Sequence, residues 1–385
     1  MPDGSDALTL RSEGKIAAIP AAEWDGCAGA GNPFVGHAFL SALEESGSAS
    51  DASGWTPNHL LIETAEGRLL ACAPLYVKSH SFGEYVFDWS WAEAWQRAGR
   101  DYYPKLQCAV PFTPVSGPRL LIRPGAQDLG LERVLAEAMT GLCDQAKLSS
   151  AHVTFPTEAE ARGLEGQGWL LRIGEQYHWP NRGYASFDDF LGALSSRKRK
   201  TLRKERQQAA GLGVTIQTLS GDDIKPRHWD AFHRFYLDTV SKKWGQAYLN
   251  REFFARLGAS LAERVALVIA EDNGRMVAGA LNLIGDDALY GRNWGALGEY
   301  RFLHFEMCYY RAIDFAIARG LARVEAGAQG EHKVSRGYLP VPTYSAHWIR
   351  EAPLRRAVAQ FLTRERQDVA ASIRALTEAS PYRAE

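Results

Sequence analysis

Residues 265–298 read VALVIAEDNGRMVAGALNLIGDDALYGRNWGALG. Three stretches of strand length, Val265–Glu271, Arg275–Ile284 and Asp287–Trp294, are separated by Asp272-Asn273-Gly274 and Gly285-Asp286. Turn chemistry between strand-like runs predicts a three-stranded antiparallel meander. Apolar residues at helical spacing follow over Leu303–Arg319. Strand signals at Arg323–Gly327 and Tyr344–Ile349 then precede a terminal helix. Upstream, Phe187–Leu194, Ser196–Gln208, Pro226–Trp244 and Arg251–Glu263 read as helices and Val214–Thr218 as a strand.

The first half repeats this order. A helix is predicted over Pro33–Glu45, then a hairpin of His59–Thr64 and Arg68–Ser79 turning at Ala65-Glu66-Gly67. Gly83–Trp91 reads as a strand, Leu129–Lys147 as a helix, and His152–Phe155 and Tyr177–Trp179 as strands. Residues 1–14 read as frayed. The repetition is of pattern and not of sequence. It predicts two related α+β domains, 1–180 and 181–385, each a mixed, mostly antiparallel sheet flanked by helices.

The chain has 385 residues, 46% hydrophobic and 23% charged, which excludes a wholly disordered or fibrous chain. Lys plus Arg is 44 and Asp plus Glu is 45, a balance unlike that of a duplex-DNA binder. The five cysteines are scattered without a CxxC, as expected in a reducing compartment. The polar N-terminus does not read as a signal peptide, and no apolar run approaches the ~18 residues of a membrane span. A cytoplasmic location is therefore expected.

Reactive residue types concentrate in three stretches of the second half. Glu306 and Tyr310 are spaced i, i+4 and are expected on one helix face. Alternation places Glu325, Gly327 and Gln329 on one face of a strand. Glu331, His332, Lys333 and Arg336 follow among glycines, a composition suited to phosphate or carboxylate. Arg292, Trp294, Gly295, His304, Ser345 and His347 complete the set. His304, His332 and His347 match no HxxxH or HExxH spacing, so no metal is expected. Ser335 and Ser345 lie in no GxSxG elbow. In the first half, Asp88, Trp89 and Trp91 form an aromatic patch, with both Trp rings expected on one strand face. From Arg197 to Arg206, seven of ten residues are basic and Glu205 is the only acid. Such a run is a solvated helix face, an RNA or phosphate contact, or a membrane-surface contact.

NPFVGHAFLSALEESGS (32–48), YGRNWGALGEYRFLHFEMCYYRAIDFAIARGL (290–321) and VEAGAQGEHKVSRGYLPVPTYSAHW (324–348) resemble the FemAB-like family of N-acyltransferases in the GNAT superfamily, often labelled peptidoglycan-biosynthesis-like. The likeness spans residues 30–365. It implies two tandem GNAT-like domains and acyl transfer from acyl-CoA to a small-molecule or peptide amine, with no tightly bound cofactor. Fem ligases instead take the group from aminoacyl-tRNA, so tRNA is a second implied partner; a non-catalytic GNAT-like binding protein is a third reading. The GNAT pyrophosphate loop, Arg/Gln-x-x-Gly-x-Gly/Ala, is missing from both halves: Trp294–Leu303 carries Gly295 and Gly298 at another spacing. On this resemblance the strands 275–284 and 287–294 diverge, the donor carbonyl sits in the gap, and backbone N–H groups hold the oxyanion. Glu306 or His347 takes the amine proton and Tyr310 protonates the leaving group.

Overall fold

The stretch 265–298 folds as three consecutive antiparallel strands. In the computed structural model, which describes residues 8–242, 245–328 and 330–383, Asn273 and Gly274 both adopt positive φ, 48° and 76°. That backbone matches a tight hairpin turn and favours Asn-Gly there.

The chain divides into two units, residues 1–174 with 343–369, and 175–342 with 370–385. The first unit holds β1 (Thr9–Glu13), α1 (Ala21–Ala28), α2 (His37–Glu45), β2 (Trp55–Pro57), β3 (His59–Glu63), β4 (Leu69–Ala73), β5 (Leu75–Lys78), α3 (Trp89–Arg97), β6 (Lys105–Cys108), β7 (Leu121–Ile122), α4 (Leu131–Gln145), β8 (Ser150–Thr154) and α5 (Glu158–Gly166). Strand β9 (Leu170–Pro180) runs on into the second unit. There follow α6 (Phe187–Ala193), α7 (Ser196–Ala210), β10 (Thr215–Leu219), α8 (Pro226–Lys242), α9 (Arg251–Leu261), β11 (Val265–Asp272), β12 (Arg275–Ile284) and β13 (Ala288–Ala296). A composite helix comes next, made of α10 (Leu303–Phe305), a π-helical turn (Glu306–Tyr310) and α11 (Arg311–Arg319), then β14 (Arg323–Glu325). Strand β15 (Leu339–Ile349) returns the chain to the first unit, and α12 (Ala352–Glu378) follows it.

The two units repeat one strand pattern. In the first, β5 and β6 are antiparallel, β6 and β8 run parallel for three residue pairs after the crossover helix α4, and β8 is antiparallel to β15. In the second, β12 and β13 are antiparallel, β13 and β14 run parallel for three pairs after the composite helix, and β14 is antiparallel to β9. Each unit therefore takes its last strand from the other half of the chain. For that reason the contiguous division at 180/181 is not the division seen: β15 and the start of α12 belong to the first unit.

Packing follows the pleat. In the first unit Leu75, Leu106, Cys108, Ala151, Val153 and Ala346 point to one face and pack on Leu131, Leu135, Met139 and Cys143 of α4. In the second, Leu289 and Val324 pack against Ala312, Ile313 and Ala316 of α11. These residues are almost entirely removed from water, the dominant favourable term in folding. Among the described residues no helix is long and apolar enough to cross a membrane.

Three local expectations change. Residues 9–13, expected frayed, form β1 on the edge of β3. Arg68–Ser79 is not one strand: Pro74, which has no N–H for a ladder, separates β4 from β5, and the two lie in different sheets. Gly83–Trp91 is not a strand either, since Trp89 begins α3. Trp91 and Trp95, spaced i, i+4, are buried together, while Trp89 is 38% exposed, so Trp89 and Trp91 do not share a face.

Glycine serves packing at Gly295. A Cβ there would lie 2.0 Å from the Phe235 carbonyl oxygen of α8. Gly295→Ala is expected to destabilise by about 1–3 kcal/mol through overpacking. Gly141→Ala, within α4 and with nothing within 4 Å of the added methyl, is expected to stabilise by about 0.5–1 kcal/mol. Denaturant midpoints of the two variants should move in opposite directions.

Candidate active site

The expected divergence lies one strand further on. Strands β12 and β13 remain paired from Ala278↔Ala296 to Ile284↔Leu289, with an irregularity that leaves Arg292 as the extra residue between Gly291 and Asn293. It is β13 and β14 that separate: they pair only at 288↔323, 289↔324 and 290↔325. Beyond Glu325 the chain stays with β9, through Tyr177 N–H to the Gly327 carbonyl and Ala326 N–H to the Tyr177 carbonyl. Lys333 Nζ donates to the carbonyls of Ala326 and Gly327 and fixes this departing segment. Burial pulls the Lys333 ammonium down to about 8. Strand β13 runs on to Ala296 paired with β12 alone, so among the described residues its other edge has no strand neighbour past Tyr290, and a bulge lies beside it, a common setting for functional sites.

A cluster of rings begins on that strand with Trp294. Trp294 and His304 have centroids 5.2 Å apart, and His304 lies 5.3 Å from Tyr309. The Tyr309 hydroxyl is 3.1 Å from His332 Nε2. His332 packs on Phe305, whose face is also covered by the Arg336 guanidinium at 3.5 Å. Partial desolvation lowers the His332 pKa, and the charges of Arg336 and Lys333 lower it further, so its imidazole is neutral at neutral pH. Burial pushes the Tyr309 phenol up, so it keeps its proton.

Glu306 and Tyr310 are committed elsewhere. Glu306 accepts from Arg206 Nη2 at 2.9 Å, Arg206 Nε at 3.1 Å and Arg311 Nε at 3.2 Å. The Tyr310 hydroxyl donates to Glu205, which also accepts from Arg336 Nη2 at 2.8 Å and Nε at 3.2 Å. Neighbouring residues of the basic helix thus clamp the π-turn and the 331–336 segment. Burial raises the Tyr310 phenol pKa, and the hydrogen bond to Glu205 raises it further. A buried carboxylate held by two guanidinium groups and a phenol held by a carboxylate are anchors, not groups turned toward a substrate.

Glu325 is buried with Arg323 Nε at 2.9 Å, and its free oxygen lies 3.6 Å from His178 Nε2. Burial raises its carboxyl to about 7 against the opposing Arg323 charge. Gln329 and the side chain of Glu331 lie outside the described residues.

His347 and Ser345 belong to the first unit, apart from the second-half residues with which they were grouped. They sit on the sheet face opposite its apolar core, and that face is polar and buried. His347 Nδ1 is 2.7 Å from His152 Nδ1, and His347 Nε2 is 2.9 Å from Ser345 Oγ. Burial pulls both imidazoles far down, His152 to about 3, so both are neutral. Tyr102 joins His152, at 3.3 Å, to Asp88, at 2.6 Å. Fully buried Lys105 donates to Asp88, to Glu84 at 2.8 Å and to Ser81 at 2.9 Å. Trp91 stands edge-on to His347 at 4.9 Å, and Trp89 lies on the surface.

Of the residues expected from sequence, Trp294, His304 and His332 come together, with Arg336 beside them. Tyr309, Phe305, Glu205 and Arg206 were not anticipated. Leu202, Glu205 and Ala209 form the buried stripe of α7, and their 3- and 4-residue spacing was the available signal for Glu205. Among the described residues no three His, Cys, Asp or Glu side chains are grouped to hold a metal.

A carboxyl raised to about 7 contributes stability that is fully present below its ordinary pKa of 4.5 and is lost as pH rises through 7. Glu325→Gln is neutral throughout. The Tm of this variant relative to the unaltered chain should therefore be higher at pH 8 than at pH 5. An offset independent of pH would rule out a buried, proton-binding Glu325.

A family model described as peptidoglycan biosynthesis/recognition, FemAB-like, matches residues 15–384. The structure of FemX is similar with a TM-score of 0.53 and 11% identity, covering 89% of this chain and 98% of that one. The C-terminal domain of a candidate lysylphosphatidylglycerol synthetase from Agrobacterium fabrum gives 0.52 and 12%, covering 89% and 95%. A curated protein of Mycobacterium tuberculosis named "Putative 8-amino-7-oxononanoate synthase 2" is 26% identical over 316 residues, 76% of this chain and 39% of its own length. The chain thus spans about two fifths of that relative. The fold is the tandem, GNAT-like α+β arrangement that the sequence resemblance implied, and the chain belongs to the FemAB-like family.

Proposed function

We propose that the chain is a transferase that moves an acyl or aminoacyl group to an amine, with its reaction centre in the second unit. The observation that carries this reading is the separation of β13 from β14 after three pairs, beside the Trp294–His304–Tyr309–His332 group. The donor carbonyl enters beside the free edge of β13, whose backbone N–H groups stabilise the oxyanion that forms on attack. His332, neutral and held by Tyr309, accepts the proton that the attacking nitrogen loses and returns it to the departing thiolate or alkoxide. The proton balance over one turnover is then zero.

The first unit does not offer the same opening. Beyond the end of the parallel pair β6/β8 lies the Pro-rich segment 110–119, and buried Arg119 ties it down through the carbonyls of Thr154, Val115, Gly117 and Pro118 at 2.7–3.1 Å. A gap filled by a fixed guanidinium admits no acyl group.

For the donor we favour acyl-CoA, with aminoacyl-tRNA as the second reading because α7 exposes Arg197, Lys200, Arg203 and Lys204. Both donors carry phosphates. Salt dependence tells them apart, since contacts to single-stranded RNA give a slope near −0.7 per phosphate. Replacing Arg197, Lys198, Arg199 and Lys200 with Ala should leave turnover with acetyl-CoA near the starting value; steep loss of aminoacyl-tRNA binding at low salt would select the RNA donor.

His332→Gln should lower kcat/KM by about 10²-fold or more with the true donor, the usual scale for a lost general base. In the unaltered enzyme the rate should fall on acidification through a pKa below 6.5, and this limb should vanish in the variant. A lysine-bearing peptide serves as acceptor. Full activity in His332→Gln removes His332 as the base, and no turnover with either donor leaves the non-catalytic binding protein.

A further inference from the structure

The five cysteines are all free thiols, and two of them meet. Cys27 stands in the last turn of α1, and Cys72 lies in β4, the strand on which α1 packs. The pleat decides where Cys72 points. Ala71 and Ala73 enter the core beneath α4, so Cys72 takes the other face of the sheet. There the two thiols hydrogen-bond to each other. Cys27 Sγ also lies 3.6 Å from the Leu69 carbonyl oxygen of the same strand. Cys27 is 6% exposed and Cys72 0%, so a small reagent meets Cys27 first.

A guanidinium completes the arrangement. Arg123, directly after β7, hydrogen-bonds Cys27 as well. Its Nη2 donates to the Glu23 carbonyl at 3.0 Å and to the Glu23 carboxylate at 2.7 Å, and its Nε donates to the Leu69 carbonyl. A Cβ at Gly26 would lie 2.6 Å from Arg123 Nη1, so α1 carries glycine where the guanidinium lies against it. The cation is thus held at the thiol from both α1 and β4. The side chains of Glu23 and Arg123 are 35% and 15% exposed, which puts the sulfur one side chain beneath the surface. The hydrogen bond with Cys72 and the charge of Arg123 lower the Cys27 pKa against its burial. Burial raises the pKa of Cys72, Cys108, Cys143 and Cys308. A thiolate beside a cation is the reactive form of cysteine, and thiols buried in apolar surroundings are inert. A reactive thiol in contact with a neutral one pairs a sulfur that is oxidised with a sulfur that resolves it.

We propose that Cys27 and Cys72 form a peroxide-responsive dithiol, oxidised reversibly to a disulfide that ties α1 to β4. The Cys27 thiolate attacks one oxygen of hydrogen peroxide. The O–O bond breaks, the departing hydroxide takes up the proton that the thiol has given up and leaves as water, and Cys27 becomes a sulfenic acid. The Cys72 sulfur then attacks the Cys27 sulfur. The S–S bond forms, the S–O bond breaks, and the hydroxide leaves with the Cys72 proton as a second water. Two electrons pass from the sulfurs to the peroxide, and a dithiol reductant returns them. A reducing compartment makes such a bond transient, as regulatory disulfides there are. This inference is independent of the reaction proposed for the second unit.

The test uses the full chain, fully reduced and then exposed to hydrogen peroxide at concentrations that leave its circular dichroism unchanged. The intact mass should fall by two hydrogens, and two fewer thiols should then take iodoacetamide. Peptide mapping without reductant should find Cys27 linked to Cys72 ahead of every other pairing, and dithiothreitol should restore both thiols. The same treatment in guanidinium chloride should lose that preference. Cys72→Ser removes the resolving thiol, so a dimedone adduct should accumulate on Cys27. The map of the unaltered chain decides even where that variant does not fold. A folded chain that keeps all its thiols, oxidation that reaches Cys108, Cys143 or Cys308 first, or a 27–72 link that forms as readily in guanidinium chloride overturns the proposal.

Discussion

Two adjacent side chains of a basic helix hold the second unit's site in shape. Glu205 and Arg206 turn in from α7 while Arg197, Lys200, Arg203 and Lys204 are exposed, and each grips a different element. Glu205 binds Arg336 and Tyr310; Arg206 binds Glu306 and Asp314. The first pair is nearly dry, with side chains 10% and 7% exposed. A buried pair is not a large net stabiliser over an apolar replacement, but loss of one partner costs about 3–5 kcal/mol. The clamp therefore fixes position more than it adds stability. It sets the π-turn, which carries Tyr309, and the 331–336 segment, which carries His332, at hydrogen-bonding distance from each other.

The same fold is used in two ways. Both units carry a parallel pair joined for only three residues, the feature that opens a sheet at its carboxyl end. In the first unit Arg119 and a proline-rich segment close that opening, and the sheet face beneath α3 is lined with buried polar groups. In the second the edge is bordered by rings of graded exposure: Tyr309 is buried, Trp294, His304 and Phe305 are half-buried, and His332 is exposed. A closed opening and a latched polar face favour a unit that binds or docks. An open edge beside a neutral imidazole favours one that reacts.

Much of this was legible in the sequence where the signal is local. The meander at 265–298, the helix of the basic run and the repeated element order need only turn chemistry and periodicity. The exchange of final strands was not legible, because β9 and β15 look alike as short strands and pairing is a long-range choice. The buried polar face was written in the alternation of Lys105-Leu-Gln107, Ser150-Ala-His152-Val-Thr154 and Ser345-Ala-His347. Such alternation ordinarily means a polar face in water, and only the burial of its partners reverses that reading. Trp89 and Trp91 misled for a related reason: two rings two apart fit a strand, yet the four-residue spacing of Trp91 and Trp95 carried the helix.

The assignment of acid–base roles shows what spacing cannot supply. Glu306 and Tyr310 were attractive because a carboxylate and a phenol one turn apart suit proton transfer. Their chemistry is decided by what faces them, and that is Arg206, Arg311 and Glu205, the first and last about 100 positions away in sequence. The guanidinium groups occupy the lone pairs of the Glu306 carboxylate, so the group that looks most reactive in sequence becomes the most firmly bound. His332 has the opposite setting. Partial desolvation and neighbouring cations keep it neutral, and its ring is hydrogen-bonded to a phenol that keeps its proton. In the proposed reaction, proton transfer at neutral pH would therefore fall to the residue whose surroundings repel a proton, not to the carboxylate held between guanidinium groups.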